Sequence, residues 1–390
     1  MFTLHVAIPA MDEADWLPST MAALLAQHCR YPFRIYVCVN QPEAYRTDGR
    51  EAVCLHNEET LRYLQSLCPC RVSVIDRCSR GQGWTGKKHG VGQARKELFD
   101  GILQQASADD VIVSLDADTL VLPDYLQSIA DNFESHRRLA DKGLQPPLMA
   151  IAVPYYHQPS GDEATDRAML RYEIYMRHYL LQLLRIASPY AFTALGSAIA
   201  VRCSALKAIG GITPMQSGED FYLLQKICKA GMKWADGRMQ SPITLWNSRT
   251  VEPATRLSAR VPFGTGPAIA KGRLGDWSSY PLYAPGGFDT IEAAYRLIPE
   301  LYEGKHPEND FLVFLEEQYK DSRLWEPLRA NHKDLPHFAK AFHEKADGLR
   351  ILQFLKNRGE TLPEPEDLSS ERERLFKEEQ EARQLFETRR

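Results

Sequence analysis

The chain reads as an α/β protein: an open, mostly parallel sheet flanked by helices, with a helical C-terminal subdomain after it. Three observations predict this. Short β-rich runs alternate with amphipathic segments through the first half, the β signal fades past about residue 270, and prolines then separate one helical pattern from the next.

In order, LHVAIPA predicts a strand, ADWLPSTMAALLAQ a helix, FRIYVCVN a second strand and HNEETLRYLQSL a second helix. RVSVID, KKHGVGQARKELFDGILQQ and DVIVSLDAD continue the alternation, so the fourth strand ends on Asp116 and Asp118. PLMAIAVPYY reads as a further strand. DRAMLRYEIYMRHYLLQLLRIA carries Leu170, Ile174, Leu180, Leu181 and Leu184 at helical spacing, which predicts a helix packed on the sheet. IEAAYRLIPELY, FLVFLEEQY and GLRILQFLKN supply the later helices. In the final segment, LSSERERLFKEEQEARQLFETRR, the sparse apolar positions Leu375, Leu385 and Phe386 predict a solvated or weakly docked surface helix. The expected domains are residues 1–265 and, as a helical subdomain with a charged tail helix, residues 266–390.

With 390 residues, 44% apolar and 25% charged, the chain has the make-up of an ordinary globular enzyme. A net charge of -4 provides no global positive field, so nucleic acid is not an expected partner. The apolar stretch around Tyr179 to Ile186 is broken by Gln182 and Arg185, which predicts no transmembrane span. FTLHVAIP lacks the pattern of a signal peptide, so the expected location is cytoplasmic, with peripheral membrane contact left open. Cys68 and Cys70 lack the spacer and second pair of a zinc site, and the eight cysteines are expected to be free thiols.

In open α/β sheets, ligands sit beyond the carboxyl ends of the strands. The VIVSL run delivers Asp116 and Asp118 there, and alternate residues on an extended chain project to one side. Both can therefore reach one cation, or one cation and one ribose. Asp118 can equally cap the segment that follows. In SGEDFYLLQK, Glu219 and Asp220 open a helix after a glycine-bearing loop, where the macrodipole alone favours carboxylates. The functional alternative is a general base that takes a proton from an acceptor hydroxyl.

The order of these motifs says more than any one of them. IPAMDE on the first strand, D-A-D at the end of the fourth, the small-residue segment LGSAIAVRCSALKAIGG and then GEDFYLL together resemble the family-two glycosyltransferases of the GT-A fold, over roughly residues 3–265. The resemblance implies an inverting transfer of sugar from a nucleoside-diphosphate sugar to an acceptor hydroxyl on a glycan, lipid or small molecule. It implies Mg²⁺ or Mn²⁺ at Asp118 and Asp116, with Asp220 as base and Glu219 beside it. Pro9, Ala10 and Glu13 would line the nucleoside pocket, with Asn40 standing where the family more usually has Asp. UDP is the favoured carrier and GDP an open one. Lys87, Lys88 and Arg95, in a glycine-rich approach to a helix, are candidates for the nucleotide, a surface turn being the plain alternative. G-W-T-G-K within that loop is similar to members acting on lipid or small hydrophobic acceptors.

Gly196 and Ser197 would approach the donor sugar in a small-residue strand, unless they serve close packing. Arg260, with Arg256 as the weaker choice, would close over the diphosphate, although no Q-x-x-R-W is present. ITLWNSRT has no histidine to offer as a third metal ligand. Two other readings stand beside this one. A sugar nucleotidyltransferase would carry a basic glycine-rich loop after the first strand, which IPAMDEADW lacks. A non-catalytic sugar-nucleotide-binding module would have no need to keep Asp116, Asp118, Glu219 and Asp220 together.

Overall fold

The computed structural model describes residues 1–86, 89–142, 147–215, 217–244, 250–257 and 264–388, and from residue 384 the backbone alone. The strands are β1 (Leu4–Ala10), β2 (Phe33–Asn40), β3 (Val72–Arg77), β4 (Val111–Ser114), β5 (Thr119–Val121), β6 (Ala150–Ala152), β7 (Ile199–Arg202), β8 (Lys233–Ala235), β9 (Arg238–Gln240), β10 (Ile243–Thr244) and β11 (Val251–Pro253). Seven of them form one sheet in the order β10-β6-β7-β4-β1-β2-β3. β4, β1, β2 and β3 run parallel, while β7 is antiparallel to both β4 and β6. This is the expected α/β architecture, with the parallel part built by the alternating elements of the first half.

The central strands read as unbroken apolar runs because both their faces are covered. Along β1, Leu4, Val6 and Ile8 point into one core cluster and Ala7 into the other, as the two-residue period of a strand requires. Helices α1 (Leu17–Leu25), α2 (Glu51–Gln65), α3 (Val91–Leu103) and α4 (Tyr125–Asp141) follow the first strands in turn. After them come α5 (Glu163–Arg185), α6 (Cys203–Ala208), α7 (Glu219–Gly231) and α8 (Thr265–Gly272). The rest is helical: α9 (Pro285–Arg296), α10 (Ile298–Tyr302), α11 (Asp310–Tyr319), α12 (Trp325–Asn331), α13 (Leu335–Lys345), α14 (Gly348–Arg358) and α15 (Leu368–Thr388). Phe288, Phe311, Phe338 and Phe342 from these helices share a core cluster with Ala7 and Ile112 of the sheet.

Three expectations are corrected here. On α5, Leu180 and Leu184 pack with the sheet as expected, whereas Leu170, Ile174 and Leu181 pack with Leu368 and Leu375 of α15. α15 itself is not weakly docked: Glu379 and Arg383 are buried with it, and Glu379 accepts from Arg177 of α5. Gly196 and Ser197 lie in the turn before β7, not in the strand. No helix among the described residues is long and apolar enough to cross a membrane.

Candidate active site

One cavity of about 700 Å³ opens at the carboxyl ends of β1 and β4, where a sheet of this kind is expected to hold its ligand. The N-terminal ends of α3, α7 and α8 reach its wall at Gly90, Gly218 and Gly264. Aligned peptide dipoles make such ends favourable to anions.

The Asp116–Asp118 segment is held from both sides. Thr20 of α1 donates to the Ala117 carbonyl at 2.9 Å, and the Ala254 N–H donates to the Asp118 carbonyl at 3.1 Å. β5 follows immediately and pairs antiparallel with β11. That pairing carries Arg256, three residues beyond β11, to the acidic segment. Its Nε donates to Asp118 Oδ2 at 2.7 Å and its Nη2 to Glu13 Oε1 at 2.6 Å, while its guanidinium lies 5.2 Å from the Trp16 ring centre. Burial works against the Arg256 charge, but Asp118 and Glu13 outweigh it and raise its pKa.

Arg95 joins the two acidic constellations. This α3 side chain is 4% exposed, and its terminal nitrogens donate to Asp116 Oδ1 and Glu219 Oε1. Burial again opposes the charge, and the nearby Asp116, Glu219 and Asp220 carboxylates override it. The space for this guanidinium exists because residue 196 is glycine: a Cβ there would stand 2.3 Å from Arg95 Nη2. Ser114 Oγ of β4 fixes the same turn, donating to the Gly196 carbonyl at 2.7 Å.

Glu219 and Asp220 start α7 behind Gly218, whose φ of 76° is left-handed and suits a residue without Cβ. Glu219 is buried by its contact with Arg95, while Asp220 is half-buried and faces the cavity. Asp220 Oδ1 accepts from the Phe221 N–H at 2.8 Å. Burial first, then the neighbouring Glu219 charge, push the Asp220 carboxyl up to about 7 against the pull of Arg95.

Pro9, Glu13, Asn40, Arg95, Asp116, Asp118, Gly196, Ser197, Glu219 and Asp220 all line this cavity. Ala10 departs from that expectation: its side chain is packed in the core, and its carbonyl accepts from Asn40 Nδ2 at 2.9 Å. Asn40 spends its amide hydrogens on Ala10 and Cys38, so it ties β1 to β2 instead of presenting that amide to a base. Arg95, expected to meet phosphate, has both terminal nitrogens on carboxylates. Lys87, Lys88 and Arg260 lie outside the described residues.

Residues 3–258 match the model of the family described as Glycosyltransferase like family 2. The chain belongs to that family. Its chemistry is therefore glycosyl transfer, on the α/β fold described above. A comparison with curated proteins returns no match. Among solved structures, the chain is similar to TarS 1-349 of S. aureus in complex with UDP-GlcNAc, at 12% identity over 92% of this chain and 93% of that one, TM-score 0.40. It is also similar to the mannosyltransferase PcManGT from Pyrobaculum calidifontis in complex with GDP-Man and Mn²⁺, at 15% identity over 87% and 86%, TM-score 0.35. A third is glucosyl-3-phosphoglycerate synthase from Mycobacterium tuberculosis in complex with phosphoglyceric acid, at 16% identity over 70% and 80%, TM-score 0.36.

Motif reading missed part of this wall. Tyr172, Tyr175 and Tyr179 of α5 line the cavity with Tyr280, and His157 reaches it from the loop after β6. The tyrosines repeat at i, i+3 and i+7, a visible helical stripe that the leucine pattern beside it obscured.

Proposed function

We propose that this glycosyltransferase is inverting, takes a nucleoside-diphosphate sugar at the acidic and arginine-rich end of the cavity, and uses Asp220 to deprotonate the acceptor hydroxyl. Residues 1–265 form the catalytic domain in this reading, and residues 266–390 a helical subdomain that completes the cavity wall. The observation that carries it is Arg95, buried between Asp116 and Glu219. One side chain thereby sets the strand-end carboxylates and the helix-start carboxylates at a fixed separation in one cavity.

An acceptor oxygen that attacks the anomeric carbon must lose its proton as the bond to the diphosphate breaks. A carboxylate is most useful as base when its pKa lies near the working pH, and an Asp220 pushed up to about 7 meets that condition. Glu219, committed to Arg95, serves as the brace. The helix ends at Gly90 and Gly264 face the same cavity and favour an anionic diphosphate.

The donor set also fits a hard divalent cation. Asp116 and Asp118 are oxygen ligands on one strand end, and Mg²⁺ or Mn²⁺ characteristically completes its shell with phosphate oxygens and water. Among the described residues no group of three His, Cys, Asp or Glu is gathered for a metal, and the proposal rests on these two carboxylates. When bound, such a cation neutralises charge on the departing diphosphate. Arg256, held beside Asp118 through Oδ2, would be placed to meet a diphosphate oxygen, a natural partner for a guanidinium fork.

The test is product analysis with UDP- and GDP-sugars, with and without Mn²⁺. Nucleoside diphosphate with an inverted anomeric product is the expected result. A parallel reaction with a nucleoside triphosphate and a sugar 1-phosphate tests the alternative, since pyrophosphate release there would identify a nucleotidyltransferase; donor binding without any product would identify a binding module.

A further inference from the structure

The cavity has two chemically different halves, and the second has so far been given no ligand. On α5, the Tyr172 and Tyr175 rings stack at 6.2 Å between centroids, and Tyr175 and Tyr179 at 6.4 Å. Tyr280, from the segment before α9, stands edge-on to Tyr172 at 5.1 Å and to Tyr175 at 5.4 Å. Phe221 adds its ring from the first turn of α7, and Leu352 adds a side chain from α14. Burial holds the three α5 phenols neutral by raising their pKa values.

This ladder is continuous with the reacting end. The Asp220 carboxylate is close enough to Tyr172 to act on its phenol electrostatically, and Phe221 is the very next residue. The six side chains named include no Asp, Asn, Gln, Arg or His. Two lysines border this stretch: Lys356 lies one turn beyond Leu352 on α14, and Lys271 donates to Ser279, next to Tyr280, at 2.9 Å; both are exposed. A glycan brings many hydroxyls, each needing a partner once it leaves water, and along this stretch the rings and the Leu352 side chain offer far more apolar surface than hydrogen-bonding groups. A flat or flexible apolar body, by contrast, gains from being covered by rings that are already ordered.

We infer that the acceptor carries its reactive hydroxyl on an apolar body, an aromatic ring system or a hydrocarbon chain, which lies along Tyr172, Tyr175, Tyr179, Phe221 and Leu352. This rests on the reading of Asp220 as base at the junction of the two halves. The C-terminal helices then have a reason to share the catalytic cavity, because α14 supplies one side of the acceptor wall.

The test separates the two readings by measuring two ligands on each preparation. 2-Naphthol binding is followed by its fluorescence, n-decanol by competition with it, and maltotriose serves as the glycan probe; UDP- and GDP-sugar binding with Mn²⁺ is measured in parallel. We expect the wild-type protein to bind 2-naphthol or decanol and not maltotriose. Tyr175→Ala and Leu352→Glu should each weaken that binding by about tenfold, as loss of one covering side chain would. Their donor affinity should stay within about twofold of wild type, which also shows that both variants are folded. Maltotriose binding in place of the apolar probes would overturn the inference, as would apolar binding indifferent to both substitutions. Failure of every sugar nucleotide to bind would overturn the donor reading and leave the probe result to decide the aromatic half by itself.

Discussion

Replacing Asp220 by asparagine should stabilise the ligand-free protein while stopping sugar transfer. Burial, followed by the Glu219 charge, lifts the carboxyl from its ordinary 3.8 to about 7. A raised folded-state value means that the stability tied to this group is fully present below 3.8 and is lost as pH climbs to about 7; above that, the ionised carboxylate weighs against the fold. The lift is about three units, and at about 1.36 kcal/mol per unit it sets a ceiling of about 4 kcal/mol. Asp220 keeps part of its surface in water, so an effect on the order of 2 kcal/mol is expected. Asparagine retains the oxygen that accepts the Phe221 N–H and lacks the charge. Thermal unfolding at pH 8 should therefore show a Tm higher by a few degrees, and at pH 5, where the wild-type group is mostly protonated, a smaller gain. Turnover on the same preparation should fall by about 10² to 10⁴. A variant no more stable than wild type at pH 8 would refute the strained carboxylate, and retained transfer would refute its role as base.

The remaining predictions follow from the same contacts. The wild-type kcat/KM should rise with pH through a limb near 7 that reflects Asp220, because only the ionised form accepts a proton; a profile flat from pH 5.5 to 8.5 would contradict this. Arg95→Leu leaves Glu219 buried without its partner and should cost about 3 to 5 kcal/mol, read as a lower urea midpoint; an unchanged midpoint would show that the bridge holds nothing. Gly196→Ala forces a methyl group to within 2.3 Å of the Arg95 guanidinium and should cost about 1 to 3 kcal/mol, a cost that should shrink in an Arg95→Ala background. Asp118→Asn should weaken Mn²⁺-dependent donor binding in calorimetry while the chain stays folded, with Tm lowered by the weakened bridge to Arg256; equal affinity would remove Asp118 from the metal site.

How much of this was legible in the sequence depends on how far apart the interacting residues are. β1 and β2 showed themselves because strands covered on both faces must be apolar at every position. Asp116 and Asp118 were visible as a pair just beyond an apolar strand, but β4 ends at Ser114, so the turn between β4 and β5, and not strand alternation, sets their side chains. Glu219 and Asp220 were visible because a helix start follows a glycine. Arg95 was read as a phosphate ligand from its place near a helix N-terminus; its true partners are 21 and 124 residues away, and nothing local announces them. Arg256 was undervalued for the same reason, since it meets Asp118 only through the pairing of β5 with β11.

The clearest case is α15. Its Glu379 and Arg383, and Glu173 and Arg177 on α5, are each spaced i, i+4, the pattern of a solvated helix face with surface ion pairs. In the fold these pairs interlock. Arg177 donates to Glu379, Arg383 donates to Glu379 at 3.0 Å, and Glu173 Oε1 accepts from the backbone N–H of His157 at 2.8 Å, with His157 Nδ1 at 2.6 Å from the same oxygen. All four charged side chains are essentially removed from water. Two carboxylates and two guanidiniums cancel in net charge, but each would be costly to bury without the others, which favours the docking of α15 on α5 that pairs them. Helix pattern reports what one helix does in water, and here the charges are matched between helices some 200 residues apart. His157 is both the end of this network and part of the cavity wall, so the charges that dock α15 on α5 border the site itself.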